Sequence, residues 1–338
     1  MAKPYLGRPN RRDVRAILAI VLAILLLFSG GVRAPLGPAM DAPAWSIGDF
    51  WEYSFNTTFE GTVSLDGRAR ADVLSVRNVT VAGVSQDVYV IDTLGTGILE
   101  GVFASESGTI PARGAWNLTG EQFITVASRK IVKSLIDIRA SGEAQVPLFG
   151  TAGFTFQWWN STTYRVEADA WTYPVPLGRS ATVTLNSSWT TGANFTLASL
   201  LTLRDSDTGA ATYDLILELI TTASVAVPAG TFEVYVIAET GSDGSREEFY
   251  YAPAAGNNAR TVSFNGNGEE VSRTELLAFR YQAAGPKPDL VLLGGLVVGG
   301  IGVAAVLGIV GVRALRRRKA REQELTPPSL REPPTSGP

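Results

Sequence analysis

The sequence predicts a mainly β protein with two tandem antiparallel units, each a curved half-barrel or a sandwich-like sheet, between two apolar helices. Three observations lead to this fold class: apolar segments near both ends of the chain, alternation of apolar and polar residues between them, and a segment that recurs 146 positions later. We therefore expect an N-terminal signal or anchor helix, two β units and a C-terminal transmembrane helix.

The first apolar segment, residues 16–34, has the features of a signal peptide. Residues 1–15 form a basic region, and thirteen apolar residues follow, which is the length of a signal-peptide core. Small residues then provide two cleavage candidates, one at Ala34 and one at Ala39. The sequence leaves open whether this segment is cleaved or retained as an anchor, and either outcome places residues 41–285 outside the cytoplasm.

The second apolar segment, residues 290–312, predicts a transmembrane helix. It holds 23 residues without a charge, and a helix of that length rises about 35 Å, enough to cross a bilayer core of about 30 Å. Residues 313–338 open with six basic side chains and continue as a Pro-rich tail, which we expect to be cytoplasmic and disordered. Gly295 and Gly299 form a small-xxx-small face for self-association or for docking to other envelope proteins.

The charges of the chain are segregated in a way that suits this topology. The net charge is −3, but residues 1–40 hold six basic and one acidic residue, residues 41–285 hold 15 and 27, and residues 286–338 hold eight and four. An acidic middle argues against nucleic-acid binding. Basic ends on both sides of it fit two cytoplasmic flanks of a protein anchored in the lipid bilayer.

The absence of histidine and cysteine excludes several functional classes. Without cysteine the chain has no disulfide framework, no thiol nucleophile and no lipid-modified N-terminal cysteine. Without histidine it has no Ser-His-Asp triad, no His-ligated metal and no imidazole pH switch. We accordingly expect no cofactor and no metal site.

The segment between the apolar ends carries an excess of glycosylation sequons. Six of the eleven asparagines are followed by the X-Ser/Thr pattern, and all six lie in the predicted exterior. Because N-glycosylation requires a translocated chain, they support the topology and are candidate glycan acceptors. They are Asn56, Asn78, Asn117, Asn160, Asn186 and Asn194.

Period-two alternation predicts that the exterior is built from long strands. Residues 212–227 alternate apolar and polar side chains, and residues 232–240 are rich in β-branched and aromatic residues. Turn residues 265–268 then lead into a strand that starts at Glu269. No part of the exterior has a helix pattern of comparable strength, although a short helix over residues 193–203 is compatible with the sequence.

An internal repeat predicts that the exterior is duplicated. Residues 79–91 align with residues 225–237 without a gap and are identical at six of thirteen positions. From this repeat we expect two copies, residues 41–170 and residues 171–285.

Short motifs in both copies carry a resemblance. They are Trp45-Ser-Ile-Gly-Asp-Phe-Trp-Glu-Tyr53 at the start and Val227-Pro-Ala-Gly-Thr-Phe232 before a strand. Residues 43–282 thereby resemble uncharacterised secreted β proteins of bacteria and archaea, whose folds are similar to the half-barrels of periplasmic lipoprotein carriers. The resemblance implies a curved sheet and the binding of an apolar ligand, and it supplies no catalytic residue.

Three groups of side chains are candidates for chemistry or recognition. Asp205 and Asp207 have the spacing of the first half of a calcium loop, but the later ligands are missing, which favours a turn. The pairs Glu247-Glu248 and Glu269-Glu270 are predicted on adjacent strands, where carboxylates could serve glycoside hydrolysis, and a solvated strand face is the simpler interpretation. Aromatic candidates for a ligand or glycan surface are Trp158, Trp159 and Trp171.

These observations together predict a cell-membrane protein with its β-rich part outside and its C-terminus in the cytoplasm. We expect a non-catalytic role in binding, of an apolar ligand or a glycan, or in envelope structure. Two alternatives stay open: an accessory subunit of a membrane complex, and an exported hydrolase that uses carboxylates alone. A carrier requires an apolar cavity, a hydrolase requires two carboxylates about 5–10 Å apart in a cleft, and an accessory subunit requires an exposed apolar patch.

Overall fold

A computed structural model describes residues 36–59, 63–105, 108–146, 150–198, 201–241 and 244–282. This part of the chain is built from strands, and none of its segments forms a helix long and apolar enough to cross a membrane. The strands are β1 Ala39–Met40, β2 Phe50–Phe59, β3 Val63–Val81, β4 Val84–Ser105, β5 Gly108–Thr125, β6 Ile131–Val146, β7 Gly150–Asp169, β8 Val175–Pro176, β9 Ser180–Leu197, β10 Leu201–Val227, β11 Gly230–Gly241, β12 Arg246–Ala252, β13 Asn257–Phe264 and β14 Glu270–Arg280.

Twelve of these strands form one closed antiparallel barrel. Each pairs with the next in chain order, except that β7 pairs with β9 because β8 pairs with β1 in a separate two-stranded sheet. The barrel closes where β14 pairs with β2, with Phe279 opposite Trp51 and Thr274 opposite Phe55. The sheet therefore has no free edge.

The predicted fold class of two tandem sheet units is wrong for the described residues, which form one closed barrel without a helix. The predicted boundary at residue 170 falls between β7 and β9, which pair directly from Phe154 opposite Leu197 to Asp169 opposite Val183. Both predicted copies therefore share one sheet. The periodicity of a strand shows which face is buried but not which strand is its neighbour, so it could not distinguish two open sheets from one closed sheet.

The predictions made for the flanking segments concern residues that lie outside the described ranges. These are the basic region 1–15, the signal or anchor segment 16–34, the transmembrane segment 290–312 with Gly295 and Gly299, and the tail 313–338. The short helix considered for residues 193–203 falls where β9 ends and β10 begins.

The two segments that align in the sequence form equivalent hairpins. In the β3–β4 hairpin Val81 lies opposite Val84, and in the β10–β11 hairpin Val227 lies opposite Gly230. Each first strand has a bulge, after Val73 in β3 and after Leu219 in β10, and these two positions are again 146 residues apart. The aligned segments thus share register and bulge position as well as residues. Duplication of the sequence stays a prediction.

The backbone that precedes β2 and β9 is also held in the same way. The Gly48 amide donates to the Val73 carbonyl at 2.9 Å, and the Gly178 amide donates to the Leu219 carbonyl at 2.8 Å. Gly48 and Gly178 have φ values of 89° and 79°, a conformation that favours glycine. The local similarity therefore extends from the two hairpins to the backbone before β2 and β9.

One end of the barrel is filled by the segment before β2 and by the β12–β13 turn. The Trp45 indole donates to the Gly256 carbonyl at 2.8 Å, and the Trp51 indole donates to the Ala255 carbonyl at 2.7 Å. Ala255 has no exposed surface, and Trp45 packs edge-on against Trp51 with ring centroids 5.6 Å apart. Two indole hydrogen bonds thus satisfy turn carbonyls that would otherwise be buried without partners.

A single carboxylate connects the segment before the first barrel strand, β2, to the segment after the last one, β14. Asp49 is fully buried, and its carboxylate accepts the Ser46 amide at 2.8 Å and the Gln282 amide at 2.9 Å. The segment before β2 is thereby fastened to the segment after β14, next to the strand pair that closes the barrel.

Candidate functional site

A cavity lies inside the barrel, along seven neighbouring strands from β13 and β14 through β2 to β6. Its volume is about 90 Å³, and it is partly open to solvent. The wall consists of Trp51, Tyr53, Phe55, Ala69, Ala71, Ile91, Thr93, Trp116, Leu118, Gly120, Gln122, Leu135, Ile136, Asn257, Asn258, Thr261 and Thr274.

The cavity exists because small residues occupy inner-face positions that are in register on three strands. Ala71 lies opposite Thr93, and Thr93 lies opposite Gly120 on its other side. Ala69 precedes Ala71 by two residues and points to the same face. Alternation fixes which residues point inward, but only their small size leaves the space empty.

Trp116 forms the floor of the cavity by lying over glycines of the neighbouring strands. A Cβ atom on Gly97 would come within 2.7 Å of the indole nitrogen, and one on Gly67 within 2.6 Å of the indole ring. The indole donates to the backbone carbonyls of Asp66 at 3.2 Å and Ile98 at 3.0 Å. Glycine at these positions therefore allows a large aromatic side chain to lie flat against the sheet.

The part of the wall next to Trp116 is aromatic and carries hydrogen bonds that are already formed. Phe55 packs edge-on against Trp116 with ring centroids 5.6 Å apart. The Tyr53 hydroxyl donates to the Asn258 carbonyl at 3.2 Å, and burial raises the pKa of this phenol. The Asn258 side-chain amide donates in turn to the Thr261 hydroxyl at 3.5 Å.

The polar groups of the wall are all uncharged. They are amides and hydroxyls, and Asp, Glu, Lys and Arg are absent from the residues that line the cavity. Gln122 contributes an amide on β5, and Ser134 lies directly opposite it on β6. The Ser134 hydroxyl is buried and has no hydrogen-bond partner in the described part of the chain.

A second group of polar side chains forms a row across five neighbouring strands of the interior. Thr57, Ser272, Ser263, Glu247 and Glu239 are each directly opposite the next, and each is buried. Thr57 follows Phe55 by two residues, so the row points to the same inner face as the cavity wall. The Ser263 hydroxyl donates to the Glu247 carboxylate at 3.1 Å.

Burial keeps the two acids of this row in their protonated form at higher pH than usual. Desolvation raises the pKa of Glu239 to about 7, against the attraction of Lys130. Desolvation and the neighbouring Glu239 charge raise the pKa of Glu247 well above its ordinary value. Lys130 lies 3.4 Å from Asp169 in an ion pair, and burial lowers the Lys130 pKa despite that partner.

The predicted aromatic candidates are separated by the fold and do not line the cavity. Trp158 points inward and is buried, whereas Trp159 points outward and covers Gly192 on β9. Trp171 has no exposed surface and belongs to another part of the core. The tryptophans at the cavity are Trp51 and Trp116. The signal for Trp116 lies in the glycines of the neighbouring strands. These glycines can be related to Trp116 only when the pairing of the strands is known.

The predicted carboxylate pairs are also not brought together. Strand β13 lies between the strands that carry Glu247 and Glu270, and Glu247 instead lies opposite Glu239. Glu248 points to the outer face, where its carboxylate accepts the Tyr250 hydroxyl at 2.8 Å. Glu270 forms an ion pair with Arg273 at 2.7 Å.

The acidic segment that was expected to be a turn is a strand. Asp205 and Asp207 lie within β10, opposite Ala193 and Thr191 of β9. Throughout the described ranges, no group of three Asp or Glu side chains is placed to hold a metal ion.

The candidate glycan acceptors differ in accessibility. Asn56, Asn78 and Asn117 are exposed, and Asn186 and Asn194 are half-buried. Asn160 points into the barrel, is 9% exposed and bonds to the Thr162 hydroxyl at 3.0 Å. A buried amide cannot carry a glycan in this fold.

Comparison with protein-family models, curated proteins and solved structures finds no match for this chain. The resemblance to secreted half-barrel proteins stays a prediction.

Proposed function

We propose that this chain is a membrane-anchored cell-surface protein whose barrel binds an apolar small molecule in its interior. The cavity is the observation that carries the proposal. Its wall is mainly aromatic and aliphatic, with a few uncharged polar groups, which is the usual composition of a site for a small apolar ligand.

The energetics of an empty apolar space support an occupant. A cavity inside a well-packed core lowers stability in proportion to its volume. Here Ala69, Ala71 and Gly120 leave space next to Trp51 and Trp116. Each 100 Å² of apolar surface that a ligand removes from water contributes about 2.5 kcal/mol, so an apolar ligand would gain affinity from the whole wall.

The chemistry of the wall favours binding over catalysis. General acid–base catalysis requires a group such as His, Asp, Glu or Lys within hydrogen-bond reach of the substrate, and the lining residues include none of these. Tyr53 is the one titratable group of the wall, and its hydroxyl already donates to the Asn258 carbonyl. Glu239 and Glu247 do not line the cavity.

The placement of the barrel outside the cell is part of the proposal. It is supported by the uncharged segment 290–312 with basic residues behind it, and by the acidic character of residues 41–285. The exposed sequons at Asn56, Asn78 and Asn117 are compatible with a translocated chain.

A second candidate function is that of an accessory subunit in a membrane complex. Nine large apolar side chains are exposed on the described part of the chain, and five of them belong to the β3–β4 hairpin. Such a concentration on one hairpin fits a surface for another protein. These five are Leu74, Val76, Val84, Leu94 and Ile98.

Native mass spectrometry of the purified full chain tests the binding function. We expect a co-purifying apolar molecule, and we expect Ala71→Leu to abolish it because the added side chain fills the cavity. Ala115→Leu is the matched control, since Ala115 is exposed on the outer face of β5. Absence of any ligand, or equal ligand in both variants, would contradict the proposed function.

A further inference from the structure

The first barrel strand begins and the last one ends at the same end of the barrel, which we call the terminal end. Strand β2 begins there at Phe50, and Arg280 at the end of β14 lies directly opposite. The Arg280 guanidinium donates to the Gly48 carbonyl at 2.8 Å, and the Gln282 amide donates to the Asp49 carboxylate at 2.9 Å. The last described residue of the chain is therefore fixed at the terminal end.

Exposed apolar side chains concentrate at this terminal end. Strands β3 and β10 continue there past Asp72 and Glu218, which lie opposite the first residues of β2 and β9. Of nine large apolar side chains exposed in the described ranges, six lie in these extensions, in the β3–β4 turn or just before β2 and β9. Single exposed apolar residues are common, but a concentration of them marks an interaction surface. The six are Ile47, Leu74, Val76, Val84, Leu177 and Ile220.

Four of these side chains occupy equivalent positions around the two related hairpins. Leu74 is the extra residue of the β3 bulge, and Ile220 is the extra residue of the β10 bulge, 146 positions later. Ile47 and Leu177 each precede a glycine whose amide bonds to the carbonyl just before that extra residue, at 2.9 and 2.8 Å. Each bulge thus has a second exposed apolar side chain beside it. We call these pairs, Ile47 with Leu74 and Leu177 with Ile220, the two apolar points.

The sequence after Gln282 limits the distance between the terminal end and a membrane. Residues 283–289 are all that separate it from the uncharged segment 290–312, for which we expect a transmembrane helix. Seven residues span at most about 25 Å. Such an anchor would keep the terminal end close to the bilayer surface.

We infer that the barrel docks on the lipid bilayer through its terminal end, with the two apolar points in the headgroup region. A bilayer presents a continuous surface, so it can cover apolar side chains that come from separate segments of one barrel end. A protein that binds the β3–β4 hairpin alone would leave Leu177 and Ile220 exposed. This inference rests on the proposed membrane anchoring and adds the surface that the barrel presents to the lipid.

Lipid quenching of single-cysteine probes tests this contact, since the chain has no cysteine of its own. The full chain with a bimane label at Leu74→Cys or at Leu177→Cys is reconstituted in phosphatidylcholine vesicles with and without doxyl-labelled lipid. Ile98→Cys is the matched control, because Ile98 is 49% exposed but lies far along β4 from the β3–β4 turn. Asn267→Cys marks the opposite end of the barrel, in the exposed β13–β14 turn.

We expect the doxyl lipid to quench the labels at Leu74→Cys and Leu177→Cys about fivefold more strongly than the two control labels, because apolar groups at a bilayer surface lie about 5–10 Å deep in the boundary of headgroups and acyl chains. Iodide in the buffer should give the reverse order. Melting temperatures equal to that of the parent chain verify that the four variants are folded.

The outcomes separate docking from anchoring. If alkaline carbonate releases the full chain from the vesicles, the proposed anchoring is contradicted. If the chain stays in the vesicles but the labels at Leu74→Cys and Leu177→Cys are quenched no more than the controls, the docking inference is overturned while the anchoring stands. Labels that iodide reaches in these vesicles but not in native membranes would identify a protein partner at the terminal end, which would also overturn docking on lipid.

Discussion

Glu239 on β11 and Glu247 on β12 lie directly opposite each other, and both carboxyl groups are buried inside the barrel. Side chains so placed have Cβ atoms about 5 Å apart. Two carboxylates at that distance in a poorly solvated site cannot both be charged without a large electrostatic penalty. The row of hydroxyls that continues from them through Ser263 offers hydrogen bonds but no counter-charge, so the pair retains protons well above the ordinary range for acids.

The first prediction concerns the pH dependence of stability. Unfolded glutamates titrate near pH 4.3, whereas burial raises the pKa of Glu239 to about 7 and raises that of Glu247 well above its ordinary value. Between these limits the folded state binds more protons than the unfolded state, so stability falls as pH rises from about 4.5 through 7. Glu247→Gln removes one such group.

Because the parent chain must either keep Glu247 protonated or bury its charge at high pH, Glu247→Gln should be more stable than the parent chain at pH 8 and equally stable at pH 4. Urea unfolding at both pH values measures this. Glu218→Gln, at an exposed position on β10, should leave the pH profile as it is. A profile for Glu247→Gln that parallels the parent chain would contradict the protonated pair.

The second prediction concerns the carboxylate that joins the two ends of the barrel. Asp49→Ala removes the acceptor of the Ser46 and Gln282 amides. Hydrogen bonds to a charged group contribute about 1.5–3 kcal/mol each, so we expect a loss of about 3 kcal/mol in chemical denaturation. Asp92→Ala, on the outer face of β4, should change stability by less than about 0.5 kcal/mol. Equal losses in the two variants would contradict a special role for Asp49.

The third prediction concerns the glycines beneath Trp116. A Cβ atom on Gly97 would collide with the Asp66 carbonyl and approach the Gly67 Cα to 2.7 Å. Since backbone atoms cannot move aside easily, Gly97→Ala should destabilise the barrel by about 3 kcal/mol or prevent folding. At Gly153 an added Cβ would meet only one atom, the Gly142 carbonyl oxygen at 3.9 Å, so Gly153→Ala should be neutral or slightly stabilising. Urea unfolding of the two variants measures the difference, and similar stabilities would contradict the close approach at Gly97.

The fourth prediction concerns topology and uses the absence of cysteine. Single cysteines are introduced at Glu218, which is exposed on β10, and at Ser336 in the C-terminal tail. A membrane-impermeant maleimide should label Glu218→Cys on intact cells, and it should label Ser336→Cys only after the cells are permeabilised. The reverse pattern would mean that the barrel is inside the cell.

The sequence predicted the strands more successfully than their arrangement. Alternation over residues 212–227 indicated a strand, and β10 includes all of it. The aligned segments around Val81 and Val227 are hairpins with one register, because their turns and apolar faces are encoded by neighbouring residues. The pairing of β2 with β14 joins residues more than 200 positions apart, and neither strand carries a local feature that identifies the other.

The candidate site was missed for a related reason. Trp158 and Trp159 were predicted as site residues because they are adjacent aromatic residues in the sequence. Trp158 is instead part of the core, and Trp159 covers Gly192. Trp116 stands alone in the sequence and becomes part of a site only because β3 and β4 bring Gly67 and Gly97 beneath it.

The pairing of the first barrel strand with the last has a consequence for biogenesis. Until Arg280 has left the ribosome and any export channel, β2 has only one neighbour, and its other side is an unpaired edge open to aggregation. The barrel therefore cannot close before nearly all of its strands have been synthesised. A chaperone that protects the unpaired edge of β2 would have to stay bound until nearly the whole barrel has been synthesised.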